Sequence, residues 1–192
     1  MSVRGGDPLL APAGDPPSRP AAAGGADAGD KPDADAVEAA REIVLRQLTV
    51  RARSREELRK AMAKRQVPDD AAKTVLDRFS EVGLVDDAAF ARAWVASGDH
   101  RVRSRRALRQ ELREKGVSAD VIDEALEEAG ADDEEVAMRF ARRKAGSLRG
   151  LDRPVAYRRL CGALSRRGFS GSVVSAVAAR VLDVNSGEDG GE

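Results

Sequence analysis

Sliding the chain along itself by 50 residues brings Arg51-Ala52-Arg53-Ser54 onto Arg101-Val102-Arg103-Ser104, Leu58 onto Leu108, Met62 onto Leu112 and Val67 onto Val117. Asp70 then meets Asp120, Val75-Leu76 meets Ala125-Leu126, and Phe90 lands on Phe140, opening a third copy. With a two-residue insertion, a shift of 52 carries Leu108 to Leu160, Leu112 to Leu164, Gly116 to Gly168, Val117 to Phe169 and Ile122 to Val174. Self-similarity at such a period is the mark of a repeat architecture. A unit of about 50 residues cannot bury its apolar stripes alone, so neighbouring units must pack end to end. The expectation is an all-α fold: three tandem three-helix repeats forming an elongated, curved helical body.

Each unit's helices are marked by spacing and caps. Val37, Ala40, Val44 and Leu48 recur at near-helical intervals. Ser54-Arg55-Glu56-Glu57 is a capping box, in which Ser54 accepts from a first-turn amide and Glu57 reaches back. A second helix should run from there to about Arg65, with Leu58, Ala61 and Met62 on its apolar side. Pro68-Asp69 opens a third, whose stripe is Ala71, Ala72, Val75, Leu76, Phe79 and Val82. Nothing alternates as a strand would, and Ala, Arg, Glu and Leu dominate as helix formers. The organisation expected is a tail over 1–35, repeats over 36–85, 86–132 and 133–185, and an acidic tail over 186–192. Both tails are expected to be disordered. The first is Pro, Gly, Ala and Asp without apolar periodicity, too poor in hydrophobic surface to offset ordering entropy.

Composition removes several function classes. One cysteine, Cys161, excludes an internal disulfide and a cysteine-cluster metal site, and one histidine, His100, argues against a His-ligated metal. Cys161 reads as a small hydrophobe on a helix, and His100, inside Ser97-Gly98-Asp99-His100-Arg101, as a solvated loop side chain. No Gly-rich phosphate loop, nucleophile motif or ligand cluster is present, so no catalytic residue, metal or cofactor is expected. No apolar run is long enough to cross a bilayer and the N-terminus lacks the order of a secretory signal, so a cytoplasmic location is expected; a monomer is the expected state. The formal net charge of zero hides segregation, because acidic ends flank a basic body. Such a body suits nucleic acid or an acidic protein surface.

The stretch Gly83-Leu84-Val85-Asp86-Asp87, followed by Phe90-Ala91 and Trp94-Val95, ends one unit and begins the next. Gly83 suits the residue beyond a helix C-terminus, Asp86 suits an N-cap, and Phe90 and Trp94 share one helical face as packing residues. This string, with Leu108-x-x-x-Leu112-x-x-Lys115-Gly116-Val117 after it, resembles the RecX family of bacterial recombination regulators over roughly 37–183. The resemblance implies a non-enzymatic protein that binds the RecA recombinase and lies along the groove of its filament on DNA. It also implies inhibition of filament extension, ATP hydrolysis and strand exchange, and hence modulation of recombination and the SOS response.

The arginines divide into three sets, each with a second reading. Arg105, Arg109 and Arg113, at i, i+4 and i+8, make one basic line along the fifth helix, either a partner-binding surface or a solvated face paired with Glu111 and Glu114. The loops Arg51-x-Arg53 and Arg101-x-Arg103 precede equivalent capped helices and either hold carboxylates or phosphates or serve solubility. Arg65, Lys115 and Arg167 share one repeat position, where a cation suits the helix dipole. The third unit has eleven basic residues against four acidic over 134–186. Its main concentration is Arg142, Arg143, Lys144, Arg149, Arg153, Arg158, Arg159, Arg166 and Arg167, either a DNA or phosphate contact or plain solvated charge. The competing function is a DNA-binding regulator that uses a trihelical unit as a helix-turn-helix-like module; weak, sequence-indifferent DNA binding fits the first reading instead.

Overall fold

Ser54 and Ser104 are wholly buried, although each opens a helix and would ordinarily face water. Each caps its own helix, accepting at Oγ from the Glu57 or Ala107 amide at 3.1 Å. Each also donates that hydroxyl forward to the next unit: Ser54 Oγ to the Lys115 carbonyl at 2.6 Å, and Ser104 Oγ to the Gly168 carbonyl at 2.7 Å. The start of one unit's middle helix is thereby seated on the end of the next unit's middle helix. This contact sets how the tandem units follow one another.

The computed structural model describes residues 32–188. Among them are nine α-helices, two short 3₁₀ turns and no strand. The first unit is α1 (Ala34–Val50), α2 (Arg55–Ala63) and α3 (Asp69–Glu81). The second is α4 (Asp87–Ala96), a 3₁₀ turn (Gly98–Val102), α5 (Arg105–Glu114) and α6 (Ala119–Glu128). The third is α7 (Asp133–Ala145), a 3₁₀ turn (Gly146–Leu148), α8 (Arg153–Ser165) and α9 (Gly171–Glu188). The expected all-α tandem arrangement is what forms. Asp33 caps α1, accepting from the Asp35 amide, so the helix takes in the last two residues of the expected tail. The rest of that expected tail, over 1–31, and residues 189–192 of the other lie outside the described residues.

Three separate hydrophobic clusters result, one per unit. Ala40, Val44, Leu58, Met62, Val75 and Leu76 anchor the first. Phe90, Leu108, Leu112, Ile122 and Leu126 anchor the second, and Phe140, Leu160, Leu164, Phe169 and Val177 the third. Val82, expected in the α3 stripe, is instead 69% exposed, because the helix ends at Glu81 and the Leu84 and Val85 amides turn back onto the Phe79 carbonyl. Val85 takes its place in the core.

One register is corrected. Asp86 and Asp132 both cap a first helix, and Asp87 Oδ1 and Asp133 Oδ1 accept from the Arg55 and Arg105 amides, each at 2.8 Å. Counting from these caps, Phe140 corresponds to Trp94, not Phe90. Both rings lie beneath the same repeat cation, Lys115 Nζ at 4.2 Å from the Trp94 centroid and the Arg167 guanidinium at 3.7 Å from Phe140. Lys115 and Arg167 thus make cation–π contacts as well as meeting the helix dipole. A uniform shift misses this because α7 is three residues longer than α4, the two measuring 13 and 10 residues.

The joints also explain two glycines. Gly116 and Gly168 take φ of 79° and 85° just past α5 and α8. A Cβ on Gly116 would overlap Glu56 Cβ, and one on Gly168 would lie 2.7 Å from Ala107 Cβ and 2.8 Å from Ser104 Oγ. The corresponding residue of the first unit is Gln66, at φ 60°.

Two outcomes are expected. Ser104→Ala removes a cap and leaves the Gly168 carbonyl without this donor, costing about 1–2 kcal/mol in urea unfolding. Ser118→Ala, at a helix start whose side chain makes no cap hydrogen bond, should change stability by less than about 0.5 kcal/mol. The Glu57 carboxyl, raised by burial but lowered more by Arg51, Lys115 and the Ser54 amide, titrates below the ordinary glutamate value of 4.5. A depressed carboxyl stabilises above its unfolded pKa and loses that contribution as pH falls through the native one. Stability should therefore fall less steeply below pH 4.5 in Glu57→Gln than in the unmutated chain, read by urea unfolding across an acid series.

Candidate interaction cleft

Some of the basic residues of the second and third units line a cleft of about 1390 Å³ between them. Its floor includes Leu108, Leu126, Val136 and Phe140. One wall carries Arg101, Arg103 and Arg105 from the Gly98–Val102 turn and the start of α5, and the other carries Arg139, Arg142, Arg143 and Lys144 from α7. Arg167 also borders it.

The two walls differ in how their cations are used. On the second unit, Arg101 Nε donates to the Ala96 carbonyl, Arg103 pairs with Glu111, and Arg105 Nη1 donates to the Leu126 carbonyl at 2.9 Å. Arg105 thereby meets the C-terminal end of α6, where the helix dipole favours a cation. These side chains hold the turn and the helix ends together. Arg139, Arg142, Arg143 and Lys144 are exposed, and their side chains form no hydrogen bond or ion pair with other described residues. The i, i+3, i+4 spacing of Arg139, Arg142 and Arg143 puts them on one face of α7. The acidic residues on the cleft, Glu128, Asp133 and Glu135, are outnumbered, and Asp133 already accepts from the Arg105 amide.

The expected basic line along α5 is divided. Arg109 binds Asp123 Oδ1 through Nε at 3.0 Å and Nη2 at 2.6 Å, so two of the three arginines are turned onto α6 and Arg113 alone is exposed without a partner among the described residues. The expected partners also change. Glu111 serves Arg103, Trp94 and His100, while Glu114 accepts from Gln110 at 3.0 Å. Of the third-unit cations, Arg142, Arg143, Lys144 and Arg167 border the cleft; Arg149, Arg153, Arg158, Arg159 and Arg166 lie elsewhere, and Arg153 is paired with Asp183. Arg139 joins the cleft without having been singled out, although its place three residues before Arg142 carried the signal.

His100 is not a solvated loop side chain. The 3₁₀ turn folds it back so that its ring lies 4.1 Å from Trp94 and Nδ1 lies 3.1 Å from Glu111 Oε2. Trp94 therefore packs with Phe90, at 5.7 Å between centroids, and also contacts His100 and Lys115, while its Nε1 donates to Glu111 at 3.3 Å. Gly83, Asp86, Asp87, Leu108 and Leu112 have turn, cap and core roles. Cys161 is half-buried against the third cluster, as a small hydrophobe would be. No group of three metal-ligating side chains occurs among the described residues, and none of their helices is long and apolar enough to cross a membrane.

Comparison with known proteins gives consistent matches. Family models for the first, second and third three-helix domains of RecX match residues 40–79, 86–126 and 132–177. The chain is 47% identical over 161 residues to the regulatory protein RecX of Streptomyces coelicolor, covering 83% of this chain and 85% of the relative. It is 42% identical over 151 residues to that of Thermobifida fusca, covering 78% and 82%. The crystal structure of RecX from Lactobacillus salivarius superposes with a TM-score of 0.62 at 16% identity, covering 78% of this chain and 98% of that one, a likeness of fold.

Glu111 accepts from Trp94 Nε1 and pairs with Arg103 beside the His100 ring, so Glu111→Ala is expected to cost about 1–3 kcal/mol in urea unfolding and to alter Trp94 fluorescence. Glu114→Ala, which loses one exposed contact, should stay within about 0.5 kcal/mol.

Proposed function

The chain belongs to the RecX family, and on that footing we propose that it binds the RecA recombinase filament on DNA and inhibits filament extension, ATP hydrolysis and strand exchange. It would act in the cytoplasm as a monomer, tempering recombination and the SOS response. The observation that supports a contact surface is the α7 wall of the cleft, where Arg139, Arg142, Arg143 and Lys144 face outward without intramolecular partners among the described residues. Unpaired cations lose no ion pair when they meet carboxylates or phosphates, whereas Arg103 and Arg109 would first have to leave Glu111 and Asp123. The opposite wall shapes the cleft and adds to its positive field. Linked units that each touch a filament gain effective concentration from every additional contact.

The test is RecA-dependent ATP hydrolysis on single-stranded DNA. The protein should suppress it in a dose-dependent way. Reversing Arg142, Arg143 and Lys144 to Glu should raise the concentration needed by at least about tenfold with helicity unchanged. A charge-matched reversal at Arg158, Arg159 and Arg166, outside the cleft, should have a smaller effect. Unchanged hydrolysis at excess protein would overturn the reading. Full inhibition by the folded α7 variant would remove the cleft from it. Tight, sequence-selective duplex binding without RecA would favour a DNA-binding regulator instead.

A further inference from the structure

The two joints between successive units share a frame and differ in what fills it. Common to both are the serine hydroxyl seated on a carbonyl, the aspartate accepting a first-turn amide, and the glycine that permits close approach. Two repeat positions then diverge. Where the second unit has Val102, the first has Ala52; where the second has Ala107, the first has Glu57.

Val102 packs against the hydrophobic cluster of the third unit, so the joint between the second and third units contains an apolar plug. The Ser104 amide adds a backbone bond to the Arg167 carbonyl at 3.0 Å. Ala52 is exposed, and the clusters of the first and second units share no side chain. In place of a plug, Glu57 Oε1 accepts from Lys115 Nζ at 3.1 Å across the joint and from Arg51 Nη2 at 3.0 Å, with Arg53 Nη1 at 3.9 Å. Three cations thus crowd one carboxylate, and Arg53 Nε is buried with no acceptor. The closed joint therefore rests on charges for which ions in solution can compete.

We propose that the joint between the first and second units is an ionic latch, and that the first unit swings on the Gly83–Asp86 turn when ions or an anionic surface compete for Glu57's cations. The second and third units, plugged by Val102, stay together and keep the cleft intact. The device lets one end of the molecule reorient while the other holds a fixed surface.

The test uses single-molecule energy transfer on the full chain in a Cys161→Ser background. One dye pair at Glu42→Cys and Glu124→Cys reads the first joint, and another at Glu124→Cys and Ala176→Cys reads the second. Raising NaCl from about 50 mM to about 1 M shortens the Debye length to roughly 3 Å. The first pair should broaden or shift to longer distance, and the second should not move. Glu57→Gln should reproduce the shift at low salt, because glutamine keeps the capping box but removes the charge. A first pair unmoved by both salt and Glu57→Gln, or two pairs that move together, would overturn the proposal. The salt series on the unmutated joint decides the matter even if Glu57→Gln perturbs folding.

Discussion

A hydroxyl group with two duties, capping its own helix and binding the end of another, is the constraint on which the rest of this structure depends. A serine in that position cannot be replaced by a residue that caps alone, since its proton has a partner some sixty positions away in the chain, Ser54 on Lys115 and Ser104 on Gly168. The approach leaves no room for a Cβ past α5 or α8. It also brings an aspartate from the following unit to the amide beside each serine. Serine, glycine and aspartate are distant in sequence and are parts of one contact. The helix end that receives the serine is the negative pole of its dipole and the helix start that supplies it is the positive one, so the units join in the electrostatically favoured sense.

Much of this was legible in the chain and some was not. Local features survived well: the Ser54 capping box, the Asp86 cap and the Leu and Val stripes act over one or two turns, where spacing alone decides who meets whom. The Phe140 correspondence failed because helix length varies between units, and a rigid shift cannot follow that. His100 was misplaced because a polar stretch of Ser, Gly and Asp looks like an exposed loop, while the 3₁₀ turn folds its one ring onto Trp94. Arginine partners were hardest, since a long flexible side chain chooses among all carboxylates and carbonyls within reach. Arg109 chose Asp123 on α6 over neighbours on its own helix.

The cleft shows why a count of basic residues is a poor guide to a surface. The second unit is net acidic, yet it supplies three arginines to one wall; the third is strongly basic, yet several of its cations lie elsewhere. What separates the walls is occupation. Arginines committed to a carbonyl or carboxylate are mortar, and those on α7 are free to meet another molecule. The two joints differ in what closes them, one a valine and the other a shared carboxylate.

The residue that stands where a glycine stands in the other units has a consequence of its own. Gln66 closes the open end of α2, and at the opposite extremity α8 gains an extra turn that puts buried Ala156 where Ser104 would lie. A side chain is tolerated at Gln66 and a hydroxyl is dispensed with at Ala156, so serine and glycine belong to the contacts between units and not to the three-helix pattern itself.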